Sequence, residues 1–294
     1  MNKNAIKSYA VWARTELMKQ VAQKAYEYGV TESSFPDYNT DNVNGRLLSS
    51  DEKKQLNELI NEVKKNGYKH VIEEVAYTWF NRFIALRYME VNNYLPQRIR
   101  VFTNDNNEFK PDLLTDAIHV ELEGLDKQKV FDYIEENKQE ELYKYLLLTL
   151  CNDMNQYLPD MFTSIKDYKT LLFPDNLLKE DSVLAKLITD IDEDSWTDQV
   201  QIIGWLYQYY IQMPKDELIH AKKQYRNDDV PFVTQLFTPD WIVRYLVENT
   251  LGNYYVRKNP NTDLINDWKY FIKNNSSENN LKKIEDIKFI DPCM

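Results

Sequence analysis

The sequence predicts a mainly α-helical chain, and three observations carry that expectation. Apolar residues recur at close to 3.6-residue spacing through most segments, as one face of a helix requires. Helix punctuation accompanies them: Ser49 and Glu52 stand at capping-box spacing, Gly29 and Gly67 follow periodic stretches, and Pro239 precedes another. One short apolar run, Ile287 to Ile290, reads as a strand, and it lies at the end of the chain.

Taken in order, residues 2–29 carry Ile6, Ala10, Val11, Leu17, Val21 and Ala25 at helical spacing, and Gly29 is the stop. Residues 30–48, rich in Ser, Asn, Asp and Gly and holding Pro36, read as a loop. A helix starts at Ser49 and runs to about Gly67. Residues 69–94 are the strongest helix. Val71, Val75, Trp79, Phe83 and Leu86 line one face, and Ile72, Ala76, Phe80, Ile84 and Tyr88 line the next. So wide an apolar surface marks a central, buried helix. Its charges, Glu73, Glu74, Arg82, Arg87 and Glu90, are expected to pair with one another or with neighbouring helices rather than to meet DNA.

Pro96 ends that element, and residues 97–110 read as a loop or short hairpin containing Arg98 and Arg100. Further helices are expected at 111–123, 127–152, 180–190, 197–212 and 214–225, with 156–176 broken by Pro159 and Pro174. The aromatic run Trp205 to Tyr210 has the composition of a base-stacking platform, but at helical spacing it reads as core. Residues 222–229 form a polar linker. Thr238 is then the expected N-cap of a helix with Pro239 at its first position. That helix, Asp240–Tyr255, places Ile242, Val243, Leu246, Val247 and Leu251 on one face. The polar stretch 257–286 holds Trp268, Tyr270, Phe271 and Ile272 in a helix-like segment. No internal repeat is seen.

Composition narrows the function. Of 294 residues, 43% are apolar, which suffices for a packed core, while 28% are charged and the mean hydropathy is -0.62. No apolar run reaches the roughly 20 residues that span a bilayer, and the first residues lack a signal peptide's apolar centre; no membrane role and a cytoplasmic location are expected. Cys151 and Cys293 form neither a disulfide framework nor a zinc pattern, and His70, His119 and His220 lack ligand spacing, so no metal is expected. The six glycines are too scattered to cradle a phosphate. A net charge of -11 runs against bulk attraction to nucleic acid without excluding a local basic groove. The acids are interspersed with Lys and Arg, which weighs against a DNA mimic.

Two segments carry chemistry. Leu236-Phe237-Thr238-Pro239 precedes an amphipathic helix, and about fifty residues later Phe289-Ile290-Asp291-Pro292-Cys293-Met294 runs from a strand into an acidic residue and a proline. In that order and spacing they resemble the first motifs of amino-methyltransferases that act on DNA adenine. The segment Val75 to Glu90, with Ile203 to Tyr210 and Thr234 to Asn249, is similar to the helical region of the PglX-like adenine-specific methyltransferases of bacteriophage-exclusion (BREX) defence. The resemblance extends from about residue 1 to residue 294.

It implies a helical N-terminal domain over 1–230. Residues 231–294 would be the incomplete start of an α/β Rossmann-like methyltransferase domain. S-adenosyl-L-methionine is the implied cofactor, with Phe237, Thr238, Pro239, Asp291 and Pro292 as its binding residues. A Thr-Pro helix start offers N–H groups and a positive dipole end to a carboxylate, and a strand-end acid suits an amino group. Duplex DNA and other defence-system proteins are the implied partners. The family's Gly-x-Gly turn and its catalytic Asn-Pro-Pro-Tyr motif, which grips a flipped adenine, do not occur; Asn259-Pro260 is the only Asn-Pro. The expectation is therefore a chain truncated where the cofactor turn begins, without catalytic residues and inactive alone. The alternative is a helical module that binds protein or DNA without catalysis.

Overall fold

The computed structural model describes residues 2–162, 167–220, 224–225, 230–234, 237–273, 283 and 286–288. The chain is mainly α-helical, and its contacts divide it into two units, Met1–Gln235 and Leu236–Met294.

The first unit is built on α1 (Lys3–Glu27), α2 (Ser50–Asn66) and α3 (Tyr68–Val91). The Asn2 side chain caps α1 by accepting from the amides of Asn4 and Ala5. Ser49 and Glu52 close the reciprocal capping box that their spacing predicts. Gly67 alone separates α2 from α3. Both apolar faces of α3 are buried, as a helix packed on two sides requires. Trp79 meets Phe173 edge-on at 4.4 Å, and Phe80 lies 4.3 Å from the Tyr210 ring. Its charges pair inside the unit: Glu73 with Arg14 and Glu74 with Lys169.

Residues 30–48 are more ordered than a loop. β1 (Asn42–Val43) and β2 (Arg46–Leu47) form a two-stranded antiparallel hairpin, turned by Asn44 and Gly45 at φ 51° and 84°. An Asn-Gly pair is the strongest short-range hairpin signal, but strands this short leave no alternation to read. Residues 97–110 contain the end of a 3-10 turn, Pro96–Arg98, and a turn in which the Asn104 amide donates to the Glu108 carbonyl, with no strand.

Two expected helices do not run the length of their apolar patterns. The segment 111–123 is helical only at α4 (Asp112–Thr115), because the Lys127 ammonium takes the carbonyls of Ile118 and Val120 that a longer helix would use. The segment 127–152 is two helices, α5 (Lys127–Glu135) and α6 (Gln139–Asp153). Asn137 adopts φ 56°, its amide donates to Ile134, and the Lys138 amide donates to Tyr133, which is a Schellman stop with Asn in the glycine position. Next come α7 (Val183–Thr189), capped by Ser182, then α8 (Gln201–Tyr210), α9 (Gln212–His220) and α10 (Val230–Thr234). Leu206 and Tyr210 are buried, and Trp205, Tyr207 and Tyr209 pack half-buried on the core, so the aromatic run is structural.

One ionic cluster ties this unit together. Arg87, fully buried, donates to Glu90 (3.1 Å), Asn107 (2.7 Å) and Glu193 (3.4 Å). Glu90 also accepts from the Phe102 amide and the Thr103 hydroxyl, and Arg100 donates to Glu193. Two guanidinium groups thus meet two carboxylates. Burial raises the Glu90 carboxyl and lowers Arg87, so desolvation outweighs pairing for both. Burial likewise pushes the Cys151 thiol up to about 12, which makes it a packing residue and not a nucleophile.

Candidate functional site

The second unit contains the Phe237-Thr238-Pro239 segment. It comprises α11 (Asp240–Val247), a π-turn (Glu248–Gly252) and α12 (Asn253–Lys258), with a 3-10 turn at Leu264–Asp267. The expected single helix 240–255 is therefore interrupted. The expected cap is also displaced by one residue. Pro239, with φ -56° and ψ 140°, occupies the cap position, and no side chain caps α11. Thr238 stands outside the helix, because Pro239 itself adopts an extended ψ of 140° and the helical turn begins one residue later.

No residue of α11 is fully buried. Phe237 is 44% exposed, Thr238 is exposed, and Pro239 is half-buried. The start of α11 presents the amides of Asp240 and Trp241, which have no helical acceptor. The Asp240 carboxylate is engaged by Arg244 at 2.7 Å, one turn on, and this pairing raises the Arg244 guanidinium.

The π-turn anchors the backbone of residues 270–272. Glu248, buried, accepts from the Tyr270 amide at 2.7 Å. Asn249 donates to the Tyr270 carbonyl and accepts from the Ile272 amide, both at 2.8 Å. Asn253 donates to the Ile272 carbonyl at 3.3 Å. Side chains thus take the backbone groups of 270–272 that a helix would use internally. This is why the expected helix-like segment around Trp268 to Ile272 is not helical. Beside this ladder, Asp240, Val243, Val247, Leu251, Tyr255 and Trp268 line a groove of about 530 Å3. Gly252 is required there: a Cβ would stand 2.9 Å from a ring carbon of Trp268.

This arrangement places an exposed aromatic, a helix start and a mostly apolar groove on one small unit. Over its whole length the chain is 35% identical to the adenine-specific methyltransferase PglX of Lacticaseibacillus casei. It is 34% identical over 93% of its length to the adenine-specific methyltransferase BrxX of Escherichia coli. The chain is homologous to PglX-like proteins. It spans about a quarter of the length of these relatives, 28% of the first and 23% of the second. No protein-family model matches it.

Of the residues expected to bind the PglX-like cofactor, Phe237, Thr238 and Pro239 lie together at the start of α11, while Asp291 and Pro292 lie outside the described residues. Of the strand expected from Ile287 to Ile290, Ile287 and Lys288 are described and are not in a strand, while Phe289 and Ile290 lie outside the described residues. Sequence reading missed Glu248, Asn249 and Asn253. Their signal was the Asn pair at i, i+4, which also describes an ordinary polar helix face. Among the described residues no group of His, Cys, Asp and Glu has metal-binding geometry, and no helix is long and apolar enough to cross a membrane.

Proposed function

We propose that the chain is part of an adenine-specific DNA methyltransferase that uses S-adenosyl-L-methionine to methylate the N(6) amine of adenine in duplex DNA, in defence against phage. The observation that carries this reading is the similarity to two adenine-specific methyltransferases along nearly the whole chain. The residues present fit one end of such a cofactor. Phe237 offers a partly exposed ring, and the amides at the start of α11 suit a carboxylate. The neighbouring Asp240 carboxylate is neutralised by Arg244 and does not oppose an anion there. Phe237, Thr238 and Pro239 would hold the cofactor together with Asp291 and Pro292. The cofactor supplies the methyl group.

The isolated chain is proposed to be inactive, since no Asn-Pro-Pro motif occurs in it. The test is transfer of label from S-adenosyl-L-methionine to mixed-sequence duplex DNA by this chain and by a longer protein that includes such a motif. Transfer by the longer protein alone supports the reading. Transfer by neither favours a helical module that binds partners without chemistry, and transfer by this chain overturns its proposed inactivity.

A further inference from the structure

Charge is distributed unevenly along the chain. Residues 105–141 hold twelve carboxylates against four lysines, so this stretch alone carries eight of the eleven net negative charges. It is also where a second groove opens. Between α4 and α5, over α6, lies a cleft of about 600 Å3 walled by Phe109, Leu114, Ile118, Tyr133, Ile134 and Leu178. Ile118 is 44% and Ile134 42% exposed, and Phe131, one helical turn before Ile134, is also exposed. Apolar side chains are thus offered to solvent in the most acidic part of the molecule.

The carboxylates next to the groove are largely uncommitted. Asp116, Glu135 and Glu141 are exposed and form no ion pair among the described residues. Glu136 is paired with Lys138, and Glu140 accepts from the Leu178 amide. Asp112 is raised by partial burial and by the nearby charges of Asp105 and Asp116, a sign of crowded negative charge on α4. A nucleic acid would be repelled here. A second copy of a chain with net charge -11 would bring the same acids face to face.

We infer that the groove between α4 and α5 docks a basic amphipathic helix from a protein partner, with apolar anchors against Ile118 and Ile134 and Lys or Arg facing Asp116, Glu135 and Glu141. Helix-in-groove recognition uses anchors at i, i+3, i+4 and i+7, and the acidic rim selects the sign of the flanking charges. The inference stands apart from the methyl-transfer reading, because neither Phe237 nor α11 takes part in it.

The experiment titrates the 294-residue chain with a synthetic Leu/Lys peptide whose leucines fall at i, i+3, i+4 and i+7. Controls are a scrambled peptide of the same composition and the corresponding Leu/Glu peptide. Saturable binding is expected for the first, about tenfold weaker binding for the scrambled peptide and none for the Leu/Glu form. Ile118→Asn with Ile134→Asn should weaken binding about tenfold, as loss of central anchors does. Asp116→Asn with Glu135→Gln and Glu141→Gln should weaken it several-fold and flatten its salt dependence. All five positions are exposed, so the variants should keep the parent's helical circular dichroism. The inference is overturned by absence of saturable binding, by equal binding of the scrambled peptide, or by indifference to the Ile118 and Ile134 changes.

Discussion

The two units of this chain solve the same problem by different means. In Met1–Gln235 the apolar periodicity of α1, α3 and α8 is buried within the unit, and even the ionic cluster around Arg87 is enclosed. In Leu236–Met294 the apolar residues of α11 remain largely uncovered, and among the described residues only Glu248 and Gly252 are buried. The first unit is held by packing and the second by hydrogen bonds from side chain to backbone. Charge divides the same way. Residues 236–294 hold eight cations and eight anions, so the whole net charge of -11 belongs to the first unit. An amphipathic helix in a sequence therefore announces a face that wants covering, and not that the chain itself covers it.

Substitutions should sharpen this contrast. The largest effect is expected at Trp79, whose truncation to alanine leaves a cavity against Phe173 and should cost about 3–5 kcal/mol in denaturant unfolding followed by circular dichroism. Arg87→Met should cost nearly as much, about 3–5 kcal/mol, because Glu90 is left buried without its main partner. This cluster also has a pH signature. Glu90 is raised in the folded state, so its contribution is favourable below the unfolded carboxylate pKa and is lost as pH rises through the folded value. Glu90→Gln should remove that decline, and an unchanged pH profile would show that Glu90 does not govern it.

In the second unit the expected effects are smaller and local. Gly252→Ala should cost about 1–3 kcal/mol through overpacking against Trp268, read as a shift in tryptophan fluorescence and faster proteolysis after residue 258. Asn249→Ala should cost about 1 kcal/mol. It should speed amide exchange at Ile272 while leaving Tyr270, held by Glu248, protected; equal acceleration at both would mean that the ladder opens as one piece. Trp241→Ala, at a residue 55% exposed, should change stability by less than about 0.5 kcal/mol. A loss comparable with Trp79→Ala would refute the contrast between the units.

How much of this was legible depended on whether local chemistry decided the outcome. The mainly helical class, the capping box at Ser49 and Glu52, and the burial of both faces of α3 follow from short-range pattern, and the structure has all three. The breaks did not show, since each turns on a contact that period alone does not encode. Asn137 can sit within a helix or stop one, and the Schellman bonds to Tyr133 and Ile134 decide it. Lys127 interrupts the pattern after α4 by reaching back to the carbonyls of Ile118 and Val120. Thr238 is a good capping residue, but Pro239 takes an extended conformation and occupies the cap position in its place. In the candidate site, Phe237, Thr238 and Pro239 could be read as a motif. The roles of Glu248, Asn249 and Asn253 could not, for they depend on a segment about twenty residues further along the chain.

The ladder from Asn249 and Asn253 to residues 270–272 sets two rulers of different pitch side by side. Four residues of α-helix advance about 6 Å, and the π-turn at Glu248–Gly252 advances somewhat less, while two residues of non-helical chain span at most about 7 Å. The two scales agree for this one interval and drift apart beyond it. A single-residue insertion between 249 and 253 would swing one asparagine by roughly a quarter turn round the helix axis and carry it off its rung. Length in this stretch is consequently fixed more tightly than side-chain identity: an exchange removes the bonds of one side chain and leaves the others in register, whereas an insertion or deletion puts the two asparagines out of phase with each other.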